Sequence, residues 1–360
     1  MSTVEKKTEV IIVGQGLSGT FLSWCLEQQG VDYIVIDNNA INASSKASSG
    51  VINPVTGRRV VTVWMDEIII PFAEKTYQQI GNFLNIEAIS KTGIIDFFPN
   101  PFMKESFLKK IELQAPYIEL ISEEEPYQPL FNFEFGIGKI QPAFVVHLPK
   151  LLPAWQEFLL QHNKLINSAF LFSKLVVAPE KIIYDNIEAK QIVFCDGVEG
   201  NRNPYFSLLP FALNKGEALI IEAPEVSNEF IYKKSVALVP YGKDGLFWAG
   251  SNYIWDFDDD QPTETFRKST EVALKNWLKV PFKILEHKAA IRPATVERRP
   301  FVGFHPKFQN VGILNGLGTK GCSLAPYFAH QLSDHIINGT GIEKEADLGR
   351  FSGILSRTSL

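Results

Sequence analysis

Apolar runs with the two-residue or unbroken pattern of strands alternate along this chain with segments of helical period, and the sharpest switch comes first. Glu9 to Val13 (EVIIV) is a short β-branched run that reads as a strand, and GQGLSG follows it at once. From Leu17 the apolar positions Leu17, Phe21, Trp24 and Cys25 share one helical face, and Gly30 stops the helix. Val31 to Ile36 is the next strand, ending on Asp37. Farther on, WMDEIIIPFAEKTYQQIGNFLN (64–85) reads as a helix interrupted by proline, KTGIIDFFPNPF as a strand, and 104–114 as a charged helix. FNFEFGIGKI alternates apolar and polar side chains as a half-buried strand does, and HLPKLLPAWQEFLLQHN sets Leu148, Leu152, Trp155 and Leu159 on one side of a helix. AFLFSKLVV, KIIYD and QIVFCDG read as three strands, the last broken by Asp196 and Gly197. GEALIIEAP, KSVALVPYG and GLFWAGSNYIW read as antiparallel strands, ETFRKSTEVALKNWLKV as a helix and NVGILNG as a strand. The last helix is expected from about Ser323, with Pro326 in its first turn, Phe328, Leu332 and Ile336 along one side, and a stop at Gly339.

The first strand, turn and helix carry chemistry. Gly14, Gly16 and Gly19 have GxGxxG spacing: the first permits a sharp turn, the second lets a pyrophosphate approach the backbone, the third lets the helix lie close on the strand. The helix then offers its free N–H groups and positive end to phosphate. Asp37, eighteen residues beyond Gly19, is placed to accept both hydroxyls of an adenosine ribose. A carboxylate there suits NAD or FAD better than NADP, and the fingerprint does not choose between the first two. The following stretch, NNAINASSKASSGVINPVTGRRV, supplies small hydroxyls and exposed amides; Ser44, Ser45, Ser49 and Gly50 are candidates for wrapping a pyrophosphate and a flat ring, and Arg58 and Arg59 for phosphate or substrate.

Bulk properties narrow the setting. A length of 360 residues suggests two domains. Thirty-five basic against 40 acidic residues give a net charge of −5 and no global field for a polyanion. The opening MSTVEKKTEV has no apolar signal core, and no stretch approaches the roughly 18–20 apolar residues of a membrane span, so a cytoplasmic location is expected. Cys25, Cys195 and Cys322 lie far apart without a CxxC, and His330 and His335 turn to different helical faces, so neither disulfide nor metal site is expected. The acidic FDDDQPTE run lacks calcium-loop spacing and reads as solvated surface.

Five segments in order resemble the D-amino-acid oxidase family of FAD-dependent amine oxidoreductases, which includes glycine oxidase and sarcosine oxidase. They are GQGLSGTFLSWCLEQQG with VIDNN, ASSKASSGVINP, IVFCDG, KGEALIIE, and AAIRPATVERRPFVG together with GLGTKGCSLAPYFAHQL. The resemblance implies an α/β fold: a Rossmann-like FAD-binding domain (1–85, 146–205 and 290–360) interleaved with an α+β substrate domain (86–145 and 206–289) containing a mostly antiparallel sheet. The implied cofactor contacts are Gly14, Gly16, Leu17, Ser18, Gly19, Asp37, Asn38, Ser44, Ser45, Ser49, Gly50, Val51, Gly197, Gly318, Thr319, Lys320, Gly321 and Cys322. Relatives with covalent flavin carry a cysteine in the region of Ile291 and Arg292; this chain has none there, so non-covalent FAD is expected.

The implied activity is oxidation of the C–N bond of an amino acid or related carboxylated amine, by hydride transfer to flavin N5, with dioxygen as the expected electron acceptor. Arg292 matches the carboxylate-binding arginine, with pairing to Glu297 or a backbone carbonyl as the alternative; Tyr253 matches a substrate contact, or is a cross-strand aromatic. Lys320 and the N-terminus of the last helix would stabilise charge at the N1 and C2-oxygen edge of the flavin, unless the glycine turn merely caps that helix. Two positions depart from glycine oxidase: Thr319 where it has a second arginine, and Ala237 where it has a substrate-contacting tyrosine. Other readings are oxidation of a carboxymethylaminomethyl group on a modified tRNA uridine, which the acidic balance disfavours, and a flavin-binding protein without catalysis.

Overall fold

The computed structural model describes residues 6–57 and 59–359. The chain divides into two compact units: Met1–Lys46, Lys150–Asn214 and Ile291–Leu360 form the first, Ala47–Pro149 and Lys215–Ala290 the second.

In the first unit the Lys6–Val13 strand lies between Ile187–Phe194 and Tyr33–Asp37, parallel to both, and Leu165–Asn167 extends the sheet beyond Tyr33–Asp37. Val10 to Val13 are buried in succession, as a parallel strand covered on both faces requires. On the other side Lys181–Tyr184 and Leu175–Ala178 continue as antiparallel strands. Val311–Asn315 pairs parallel with Ile187–Phe194 and antiparallel with Phe301–Phe304. The core joins Ile11, Ile36, Phe194, Phe206, Phe301 and Ile313.

Helix Leu17–Gln28 is buried through Leu26 on nearly every side, not on one stripe. It packs beside helix Gly321–Asn338, while Trp24 meets Trp155 edge to face at 5.8 Å and Ser23 Oγ accepts from Trp155 Nε1 at 2.8 Å. Its buried Thr20 and Ser23 are tolerated because both hydroxyls bond within the helix and its cap, Ser23 donating to Gly19 O at 2.7 Å. The last helix begins at Gly321, two residues earlier than its sequence pattern suggests, so Pro326 sits inside it; Gly339 ends it at φ 68°.

The second unit is built on a mostly antiparallel sheet in the order Lys283–Arg292, Asn214–Glu222, Leu246–Gly250, Ala237–Pro240, Ile231–Lys233, Ile89–Phe97, Ile137–Val146, Val51–Ile52. Ile231–Lys233 runs parallel to Ile89–Phe97. One face is covered by helix Glu264–Trp277, with Phe97, Phe131 and Trp277 in mutual ring contact; Ile94, Phe107, Ile220 and Trp248 gather on the other.

Other readings change as well. Residues 47–85, expected with the first unit, belong to the second, because Val51–Ile52 pairs with Ile137–Val146 and helix Asp66–Leu84 packs on Ile89–Phe97; 146–149 and 290 likewise fall in the second unit, and 206–214, expected with the second, fall in the first. The FNFEFGIGKI strand begins only at Ile137 and runs on to Val146. Its early alternation comes from a loop whose Phe131 and Phe133 anchor in the core, and Gly136 at φ 89° turns the chain into the strand. Of AFLFSKLVV only the end is extended, in a strand Leu175–Ala178 that runs one residue beyond it and is preceded by a 3₁₀ turn at Phe172–Lys174.

Candidate active site

Within the first unit, the turns that leave the carboxyl ends of Lys6–Val13, Ile187–Phe194 and Val311–Asn315 gather along one rim. An open parallel sheet places its ligands at such a rim, where neighbouring connections run to opposite sides. The glycines of the first turn are dictated by crowding. A Cβ on Gly14, which has φ 99°, would stand 2.5 Å from Cys195 O, and one on Gly19 would stand 1.8 Å from Gly14 O. Gly16 differs: a Cβ there would meet Ser45 Oγ at 3.0 Å, the hydroxyl that also accepts from Leu17 N at 3.0 Å. The helix entered here has no side-chain cap from Gly16 and no acid in its first turn, so its positive end is not neutralised locally.

Asp37 ends its strand with each carboxylate oxygen receiving one backbone amide, Gln15 N on Oδ1 at 2.9 Å and Asn39 N on Oδ2 at 2.7 Å. Two amide bonds fix the carboxylate beside the glycine turn and leave it further acceptor capacity for hydroxyl donors. Asn38 is exposed and spends its side chain on Ala40 N. Lys46 closes the loop with Nζ bonds to Asn39 O, Asn39 Oδ1 and Ala40 O. Ser45 therefore stands at the helix entrance, and Ser44 begins the short Ser44–Ala47 helix beside it.

At the far side of the rim, Asp196 precedes Gly197, at φ 56°, which has open space where a Cβ would be. Asp196 Oδ1 accepts from Asn315 Nδ2 at 2.9 Å and Oδ2 from Asn203 Nδ2 at 3.0 Å. Burial outweighs these bonds and pushes its carboxyl up to about 6. Asn315 then leads into Gly316 and the Gly318–Lys320 turn. Gly318 N bonds Pro293 O at 3.1 Å, which ties that turn to the residue after Arg292. Arg292 donates from Nη1 to Asn214 Oδ1 at 2.8 Å, while Glu297, its expected alternative partner, receives Arg350 at 3.3 Å.

Lys320 is half-buried in the same turn. Burial and the neighbouring positive charges of Arg299 and Arg298 draw its ammonium down to about 8. Thr319 is exposed and Cys322 buried. All three cysteines are free and buried; burial pushes the Cys25 thiol up to about 12 and Cys195 well above its ordinary value.

Ser49, Gly50, Val51 and Tyr253 belong to the second unit. Gly50 has its own backbone reason there, since a Cβ would stand 2.1 Å from Val146 O. Tyr253 is 57% exposed and follows the Leu246–Gly250 strand rather than pairing within it, so it is not a cross-strand aromatic of that ladder. Arg58 lies outside the described residues; Arg59 is exposed. His330 faces Asp334 at 3.4 Å and His335 bonds Thr340 O at 2.7 Å; among the described residues no cluster of His, Cys, Asp or Glu could hold a metal. Among them, too, no helix is long and apolar enough to cross a membrane.

Sequence reasoning passed over Asn203, Asn214, Asn315 and Gln15. The signal for Asn315 was present: Asn-Gly at 315–316 closes an apolar strand as Asp-Gly does at 196–197, a pairing that marks a tight turn.

Comparison with known proteins adds to this geometry. The family model described as DAO, FAD dependent oxidoreductase, matches residues 9–335. Among solved structures, the glycine oxidase of Geobacillus kaustophilus is similar with a TM-score of 0.78 at 16% identity, covering 96% of this chain and 98% of that one. The iminodiacetate oxidase of Chelativorans sp. BNC1 gives 0.74 at 18% identity, with 93% and 96% covered. The L-proline dehydrogenase of P.horikoshii gives 0.73 at 17%, with 97% and 98% covered.

Proposed function

The chain belongs to the DAO family of FAD-dependent oxidoreductases, and from that premise we propose that it oxidises the C–N bond of a small amine bearing a carboxylate, with FAD held non-covalently and dioxygen as electron acceptor. The observation that carries this reading is the bond from Gly318 to Pro293, which fixes the Arg292 segment to the turn proposed to cradle the cofactor edge.

The first unit's residues fit a dinucleotide. Gly16 and the uncapped helix start would receive the pyrophosphate, and Asp37, already oriented by two amides, would take the ribose hydroxyls. Gly318, Thr319, Lys320 and Gly321 would line the ring's pyrimidine edge. The protonated thiols of Cys25 and Cys195 are poor nucleophiles, in keeping with non-covalent attachment. Bound FAD would supply a two-electron acceptor for the hydride leaving the carbon next to nitrogen.

What the protein itself contributes is orientation. The Arg292 guanidinium can grip a carboxylate through two parallel N–H bonds, and Asn214 fixes the rotation of that fork. Its positive charge also disfavours the ammonium form of a nearby amine, which must lose a proton before it can give up hydride. Lys320, with its ammonium drawn down to about 8, would place a positive charge at the cofactor edge that falls away as the medium becomes alkaline.

The decisive experiment is an anaerobic titration of the purified yellow protein with glycine, sarcosine, proline and other secondary amino acids, following loss of flavin absorbance. Bleaching by a carboxylated amine, but not by its decarboxylated counterpart, is the expected result. Reduction only by a modified tRNA would move the substrate to the nucleoside, and reduction by neither would leave a flavin-binding role.

A further inference from the structure

We infer that Asp196 and Asn315 form a lock that positions the cofactor-binding rim of the first unit, making them positioning residues for FAD retention; this rests on the FAD-binding reading above. The argument begins with the two turns. Ile187–Phe194 and Val311–Asn315 are parallel neighbours, and each leaves the sheet through a residue-Gly pair, Asp196-Gly197 and Asn315-Gly316. Parallel pairing fixes the strands but not their exits, because ladder bonds stop where the strands stop.

The side chains supply what the ladder lacks. Asn315 Nδ2 donates both to Asp196 Oδ1 at 2.9 Å and to Gly197 O at 2.8 Å, while its Oδ1 accepts from Gly316 N at 2.7 Å. One 2% exposed amide thus spans both exits. Asp196 uses its second oxygen for Asn203 Nδ2, and Asn203 Oδ1 accepts from Tyr205 N at 3.0 Å, which pins the Gly197–Arg202 turn. Gly200 leaves the room: a Cβ there would stand 2.5 Å from Asn315 Nδ2 and 3.0 Å from Asp196 Oδ1.

The lock touches the proposed binding surface at both ends. Asp196 Cα lies 3.4 Å from where a Gly14 Cβ would be, so any shift of Asp196 moves the wall against which the fingerprint turn is built. At the other end a Cβ on Gly316 would stand 2.6 Å from Thr295 Cγ2, and Gly318 bonds Pro293. The orientation of the Asn315 amide is fixed, since its oxygen is committed to an N–H and its nitrogen to a carbonyl. Asp196→Asn would therefore set an amide nitrogen against one of two donors, leaving a buried polar group unpaired.

The experiment follows FAD release from holoprotein diluted into FAD-free buffer, by recovery of flavin fluorescence, well below each variant's melting temperature. Asp196→Asn and Asn315→Asp are expected to release FAD at least about tenfold faster than wild type. The double variant, which restores one donor–acceptor pair between the two positions, is expected to release FAD more slowly than Asn315→Asp alone, with which it shares the lost bond to Gly197 O. Should either single variant be too unstable to purify, the remaining single and the double are compared on the same readout. Unchanged release rates in folded variants overturn the lock, and so does a double variant that releases no more slowly than Asn315→Asp. A wild-type protein that retains no FAD overturns the parent reading and the lock with it, whereas retention by wild type beside unaltered variants overturns the lock alone.

Discussion

Two glycine turns lead into the two helices that lie side by side in the first unit, and they are glycine-rich for different reasons. In the turn at Gly14 to Gly19, added Cβ atoms at the first and last glycine would strike backbone, Cys195 O at 2.5 Å and Gly14 O at 1.8 Å. In the turn at Gly316 to Gly321, the nearest atoms are side chains: Thr295 Cγ2 at 2.6 Å, Ala294 Cβ at 3.4 Å and Leu17 Cδ1 at 3.2 Å. Backbone cannot yield without moving a strand, while a leucine methyl can. The first turn therefore needs two of its glycines to fold at all, with or without a ligand. The second turn needs them for positive φ at Gly316 and Gly318, while Gly321 has no such need and a Cβ there would meet side-chain atoms alone. The comparison teaches that a glycine fingerprint is partly a packing signature, and that Gly16 is the member whose added Cβ would meet a side chain, Ser45, and no backbone.

That contrast can be broken by substitution. The largest effect is expected from Gly19→Ala: a methyl within van der Waals contact of the Gly14 carbonyl has no escape, and loss of soluble or flavin-retaining protein is expected, read from yield and flavin absorbance. Next comes Arg292→Ala, which should raise KM for carboxylated amines by a factor on the order of 100 and leave FAD content unchanged. An equal loss with an uncarboxylated amine would take Arg292 out of the substrate role.

Asp196 offers a smaller, pH-dependent effect. Its folded carboxyl holds its proton to about 6, above the value of 3.8 expected without burial, so the folded state binds more protons between those values. Stability contributed at this site is full below about 4 and is lost as pH rises through about 6. The stability difference between wild type and Asp196→Asn should accordingly change by roughly 3 kcal/mol over that window, and a difference that does not vary with pH would refute the assignment.

Lys320→Met tests the second turn itself. Its ammonium is depressed from 10.5 to about 8, so the stability it costs near neutrality is relieved as pH rises through that range; the variant should melt slightly higher at pH 7. It should also lower the flavin's reduction potential, and an unaltered potential would remove Lys320 from the cofactor edge. The smallest effect on stability is expected for Gly321→Ala, where helix propensity gains up to about 1 kcal/mol against a yielding Leu17 methyl. Weakened FAD retention in a variant of unchanged melting temperature would sharpen the contrast; unchanged retention would show that Gly321 is not in the cradle.

Much of this was written in local pattern. The strand–turn–helix at residues 6–28, the acid ending the next strand and the amphipathic helix carrying Leu148, Leu152, Trp155 and Leu159 follow from periodicity and glycine placement, both short-range properties. Other features are pairings across long stretches of chain, on which local pattern is silent. Val51–Ile52 finds its partner in Ile137–Val146, which carries residues 47–85 into the second unit. Phe131 and Phe133 imitate strand alternation because both anchor a loop in the core, a role set by neighbours distant in sequence. In the same way, Asp196 reads as a break in its strand and Asn315 as part of the NVGILNG strand, and only the parallel pairing of their strands brings a carboxylate within 2.9 Å of an amide. By itself the sequence determined the elements and the chemistry they bear, because backbone propensity and period act over a few residues. Which element meets which, and so which polar groups share one rim, was decided by the tertiary structure, since burial rewards contacts without regard to separation along the chain.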